Sequence, residues 1–105
     1  MENQKIECSA AIQVLPQVEG ERVIEVVDKV ISYIKSTGLP HLVGPFETTM
    51  EGDFDKVMEV VKECQLICIR EGAPQVMSYI KVAYCPEEGV WSMDYKTRKY
   101  NGPPK

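Results

Sequence analysis

Between residues 44 and 52 the sequence reads Gly-Pro-Phe-Glu-Thr-Thr-Met-Glu-Gly, and five consecutive positions hold two carboxylates and two hydroxyls. Turn residues bound the stretch, which predicts a short strand. Side chains alternate along a strand. Phe46, Thr48 and Met50 therefore take one face, and Glu47, Thr49 and Glu51 the other. Three polar groups in a row on one strand face are either solvated or gathered around something. Carboxylates accept from amines and attract cations, and hydroxyls both donate and accept. The chemistry on offer is recognition of an amine-bearing or cationic ligand. Beside it stands the plainer reading: Glu47 and Glu51 as solvated acids, Thr49 as an ordinary β-former, and Thr48 as an inward hydroxyl satisfied by backbone.

Other chemistry finds little footing. The single histidine, His41, has no recognisable nucleophile or acid beside it and reads as a surface residue. Cys64 and Cys68 lie one helical turn apart and could share a metal. With no Cys-x-x-Cys pair, core packing is the better reading for them. There is no phosphate-cradling glycine-rich loop. The expectation is a protein without catalysis, metal or cofactor.

The totals narrow the partners. Net charge is −4 with the acids spread along the chain, and no basic stripe favours nucleic acid. No apolar run approaches 18 residues and the N-terminus is not signal-like, which predicts a cytoplasmic protein with no membrane partner. Its four cysteines, Cys8, Cys64, Cys68 and Cys85, are then expected to stay reduced. The 105 residues form one domain, able to bury about two-thirds of the surface exposed on unfolding. Its expected span is 1–100, with 101–105 a flexible tail.

The positioning elements follow from periodicity. Residues 6–15 alternate, with Ile6, Cys8, Ala10, Ile12 and Val14 on the apolar face, and Pro16 ends the strand. From Gly20 to about Ser36 the residues Val23, Val27, Val30, Ile31 and Ile34 recur at helical spacing, until Gly38 and Pro40 stop the helix. A short strand at 41–43 precedes the acidic stretch. Asp53 caps a second helix whose buried stripe is Phe54, Val57, Met58, Val61, Cys64 and Cys68. Gly72 and Pro74 close it, and 75–84 is a fourth strand. A last short helix starts at Ser92, with Trp91 as a packing anchor for the tail.

The order is βαββαβ, an α+β ferredoxin-like arrangement: a four-stranded antiparallel sheet, order 4-1-3-2, with both helices on one face. The other face would carry Ser9, Ala11, Gln13, Glu47, Thr49, Glu51, Met77, Tyr79 and Lys81. A bare face of this composition usually meets a ligand or another subunit, which predicts a homo-oligomer, dimer or tetramer.

Pro45 followed by Glu-Thr-Thr-Met-Glu-Gly resembles the thiamine-binding (YkoF-like) family of small proteins. The likeness extends over a first strand ending Ile-Gln-Val-Leu-Pro at 12–16, the helix from Glu21, and the strand Ser-Tyr-Ile-Lys-Val at 78–82. The tail from Gly89 to Asp94, with Lys99 and Tyr100, is similar to that of longer members. Many members carry Gly where this chain has Glu47. The resemblance implies binding of thiamine, or of its hydroxymethylpyrimidine part, as a ligand that undergoes no chemistry. Glu47 or Glu51 would accept from the amino group; Ser9, Gln13 and Thr49 would orient the ring, Met77 or Tyr79 would pack on it, and Thr48 lies within the same set. Two other classes remain beside this one. One is a small dimeric ferredoxin-like isomerase or oxygenase using His41 or Glu47 as base; the other is a purely structural oligomer.

Overall fold

A computed structural model describes residues 6–101. The elements run β1 (Cys8–Pro16), α1 (Arg22–Ser36), β2 (His41–Val43), β3 (Thr48–Gly52), α2 (Phe54–Arg70), β4 (Val76–Tyr84) and α3 (Met93–Asn101). The sheet order is β2-β3-β1-β4 with every neighbouring pair antiparallel. This is the ferredoxin-like order that the strand–helix–strand repeat predicts. Residues 102–105, expected as tail, lie outside the described residues, and Asn101 belongs to α3.

One face of the sheet and the two long helices enclose a single core. Cys8, Ala10, Ile12 and Val14 of β1 and Met50 of β3 meet Val26, Val30 and Ile34 of α1 and the α2 stripe. Burial of each Val or Ile side chain contributes about 1.5–3 kcal/mol. Asp53 caps α2 as its sequence position predicts, accepting from Lys56 N at 3.0 Å. A second carboxylate joins it there: Glu7 Oε1 accepts from Phe54 N at 3.1 Å, favoured by the positive end of the helix dipole. Gly38 and Gly72 follow the two helices with φ of 80° and 106°, the left-handed backbone that ends a helix at glycine.

Five features depart from the sequence expectation. The α1 and α2 stripes include Val26, Val60 and Ile67, while Val23, Val27, Ile31 and Met58 are only half-buried. β1 continues through Pro16, which pairs with Val76. Beyond Ile12, β1 has a neighbour only on the β4 side, and such a local edge tolerates proline. Residues 44–47 form a tight hairpin rather than strand, with Gly44 N donating to Glu47 O at 2.9 Å. The hairpin turns Phe46 outward, so it is 77% exposed instead of facing the core. β4 is exposed along most of both faces, including Ile80 and Val82, because α1 and α2 sit over the central strands. Finally, α3 buries no residue, and Trp91 is 66% exposed rather than packed.

The four cysteines are free thiols, and Cys8, Cys64 and Cys68 are buried core members. Burial pushes the Cys64 thiol up to about 12, helped by Cys68 and Glu63 nearby. The unfolded thiol ionises near 9.0, so between pH 9 and 12 the unfolded state alone releases this proton. Stability should therefore fall as pH rises through that window, by up to about 1.4 kcal/mol per pH unit for one thiol. Urea midpoints from pH 8 to 11 should show a steeper alkaline decline for the parent than for Cys64→Ala. Parallel curves would refute the assignment.

Candidate functional site

Strand register sorts the candidate residues. Ser9 stands opposite Glu51 and Ala83, and Gln13 stands opposite Tyr79. Ser9 and Gln13 are four residues apart, about 13 Å along an extended strand. The eight candidates thus fall into two groups. Ser9, Thr49 and Glu51 cluster toward the start of β1. Gln13, Glu47, Thr48, Met77 and Tyr79 lie toward its end.

Two of the first group are enclosed by the protein itself, while Thr49 is half-buried. Ser9 and Glu51 are buried, and Glu51, only 7% exposed, accepts from Met93 N at 2.9 Å. Its carboxylate roots the start of α3 on the sheet face opposite α1 and α2. The nearness of α3 was not legible from residues 44–52 alone.

Three of the second group, Gln13, Glu47 and Thr48, line a cavity of about 250 Å³, while Met77 and Tyr79 lie outside its lining. β1 pairs with β3 only from Cys8 to Ile12, yet runs on beside β4 to Pro16. Residues 13–16 overhang, and the space beside them is a notch in the sheet. The half-buried side chains of Val23, Val27 and Ile31 form one wall, and the hairpin residues Val43, Pro45 and Phe46 form the other. Gln13, Glu47 and Thr48 are the polar residues along this apolar lining, with Thr48 on the helix side of the sheet and Gln13 on the open side by strand parity. Glu47 Oε2 accepts from Lys81 Nζ at 3.1 Å, which places Glu47 on the open face as alternation predicts. A Cβ on Gly44 would lie 3.0 Å from the Glu47 carbonyl oxygen, so the turn that holds this acid favours glycine.

Sequence reasoning named Gln13, Glu47 and Thr48 but missed the apolar walls. Val23, Val27 and Ile31 looked like core because cavity walls and core share the helical spacing. A signal was present: a nine-residue first strand beside a third strand cut short by Gly44-Pro45 must leave an overhang.

His41 does not join this group. It pairs with Met50, a core residue, so its side chain lies on the helix side of the sheet, and its Nδ1 is 2.9 Å from Leu39 O. Glu47 lies on the opposite side, so the two do not form an acid–base pair. Among the described residues no cluster of His, Cys, Asp and Glu is arranged to hold a metal. No helix described is long and apolar enough to cross a membrane.

Residues 10–101 match the thiamine-binding protein family. The chain belongs to that family. It is 53% identical over 93 residues to a UPF0045 protein of Clostridium perfringens, a match covering 89% of this chain and 96% of the relative. Its fold is similar to a domain of unknown function, DUF77, from Bacillus cereus, with TM-score 0.83, 36% identity and 95% of each chain covered. It is also similar to a candidate thiamine biosynthesis/salvage protein from Thermotoga maritima, with TM-score 0.79, 33% identity, and 90% of this chain and 98% of the other covered.

Proposed function

We propose that this protein binds thiamine through its aminopyrimidine ring, seated in the notch beside the β1 overhang, and leaves the ligand chemically unchanged. The observation that carries the reading is the notch itself: an apolar lining interrupted by Gln13, Glu47 and Thr48. Pockets for drug-sized ligands run to about 300–1,000 Å³, so a space of about 250 Å³ suits a single ring, with the remainder of the ligand outside. An aminopyrimidine presents donors and acceptors along its edge. Gln13 can satisfy both kinds, and the Glu47 carboxylate accepts from the exocyclic amine. The thiazolium, left at the mouth, gains from the same negative charge. Tyr79, opposite Gln13, and Met77, opposite Leu15, offer exposed surface at that end of the open face. Thr49, Ser9 and Glu51 are secondary contacts at most, since Ser9 and Glu51 are buried at the far group.

A homo-oligomer, dimer or tetramer, fits this reading. β4 is a nine-residue edge strand with apolar side chains exposed on both faces, a surface that favours association. A cytoplasmic setting suits the four free thiols.

Calorimetric titration with thiamine, hydroxymethylpyrimidine and the isolated thiazole separates the possibilities. Thiamine and the pyrimidine should saturate the protein and be recovered intact, while the thiazole should bind far more weakly. Conversion of the ligand would replace this reading by the isomerase- or oxygenase-type one. Absence of any binding would leave a structural oligomer.

A further inference from the structure

We propose that Val23, Val27 and Ile31 of α1 form a stiff wall that reads the methyl group on C2 of the ligand's pyrimidine ring, with Val27 setting the size of substituent the notch accepts. This rests on the aminopyrimidine seating proposed above and adds which way the ring points and which residue selects it.

The core does not account for this row. α1 carries two apolar rows, and one of them, Val26, Val30 and Ile34, is buried. The other, Val23, Val27 and Ile31, is spaced four residues apart and so follows one line along the helix. Its members are only half-buried, and all three line the cavity. Val27, in the middle, also packs against the core. All three are β-branched, and in a helix such side chains hold one strongly preferred rotamer. A wall of flexible Met side chains would reshape around different ligands. This wall has a fixed contour, so it can sort ligands by size.

Ring chemistry fixes what meets it. The pyrimidine of thiamine bears the thiazolium through C5, the amine on C4 and a methyl group on C2. C2 and C5 lie across the ring from each other. A cavity of about 250 Å³ takes the ring and leaves the thiazolium outside, so C5 points out and the methyl group points in. C4 adjoins C5, which keeps the amine near the mouth. Glu47 suits that place, since its side chain is 34% exposed. The methyl group then meets the aliphatic lining, where Val14, Val30 and Ile34 are buried beside the Val27 row. Thr48 is the polar lining residue on the helix side, and the ring nitrogens that flank C2 can accept from its hydroxyl.

The test is calorimetric titration of the full chain with three probes: 4-amino-5-hydroxymethylpyrimidine carrying hydrogen, methyl or ethyl at C2. Circular dichroism checks that each variant remains folded. The parent should prefer methyl to hydrogen by at least about 10-fold, the effect of one carbon in a fitted apolar pocket. It should also prefer methyl to ethyl by at least about 5-fold, because the wall does not yield to overpacking. Val27→Ala should admit the ethyl compound as tightly as the methyl one. Val27→Thr keeps the shape and should still reject ethyl. Ile31→Ala, at the end of the row, should relax the same limit and serves where Val27→Ala does not fold. Nuclear Overhauser contacts should run from the C2 methyl protons to the methyl groups of Val27 or Ile31. Equal affinity of the parent for all three probes, continued rejection of ethyl by the alanine variants, or absence of those contacts overturns the wall while leaving ligand binding intact. A parent that binds neither the probes nor thiamine overturns the seating as well.

Discussion

Glu47→Gln is expected to lower thiamine affinity about 10- to 150-fold while leaving the melting temperature nearly unchanged. The substitution keeps the shape and removes the charge that would accept from the ligand's amine. Loss of a charge-assisted hydrogen bond in a partly buried site costs about 1.5–3 kcal/mol. The fold should not notice, because the partner that Glu47 has in the structure is Lys81, whose side chain is largely exposed. Exposed ion pairs contribute about 0–1 kcal/mol. The same pair makes a second outcome specific. Lys81 occupies the carboxylate that the proposed ligand would use, so Lys81→Ala should bind thiamine as tightly as the parent or up to about fivefold tighter. Lys35→Gln, in the last turn of α1, should change neither property. Calorimetry decides the case. Parent-like binding by Glu47→Gln would make this acid a mere partner for Lys81.

Met50→Ala should cost about 2–5 kcal/mol of stability. Met50 is fully buried at the centre of the sheet, where β3 meets the helices, and truncation there leaves a void that packed neighbours fill poorly. Native domains hold only about 5–15 kcal/mol in reserve, so the loss should lower the urea midpoint visibly. Leu42→Ala, on the exposed edge strand β2, should stay within about 0.5 kcal/mol. If both substitutions cost the same, the placement of Met50 in the core is wrong.

The two predictions also mark what the sequence could reveal. Met50 alternates with Glu51 and Thr49 in a strand between clear turn residues, so its inward direction is a matter of period two. The same rule places Glu47 on the open face. Strand order follows as well, once two strand–helix–strand units are recognised. Alternation loses its meaning where the strand ends. Phe46 continues the apolar parity of Thr48 and Met50, yet it sits in a hairpin and points to solvent. Burial on the fourth strand depends on how far the helices reach, which no local pattern records. Ile80 and Val82 look like core residues and are only partly covered. Glu51 is the clearest case among the site candidates. Its face is legible, but its partner, the amide of Met93, lies 42 residues away. Long-range pairing of this kind is a property of topology rather than of composition.

The hairpin at 44–47 has a consequence for how such a scaffold can diversify. It walls the notch, yet its closure involves its own backbone, through Gly44 N and Glu47 O, and the turn contributes no residue to the buried core. If the notch holds the ligand as proposed, ligand choice is thereby uncoupled from foldability. Lengthening or re-lettering this turn alters cavity depth and rim charge without disturbing Met50 or the helices behind it, and surface loops accept such changes readily. If the notch is the ligand site, selection can explore new small molecules through the three positions after Gly44 while the remaining architecture stays constant.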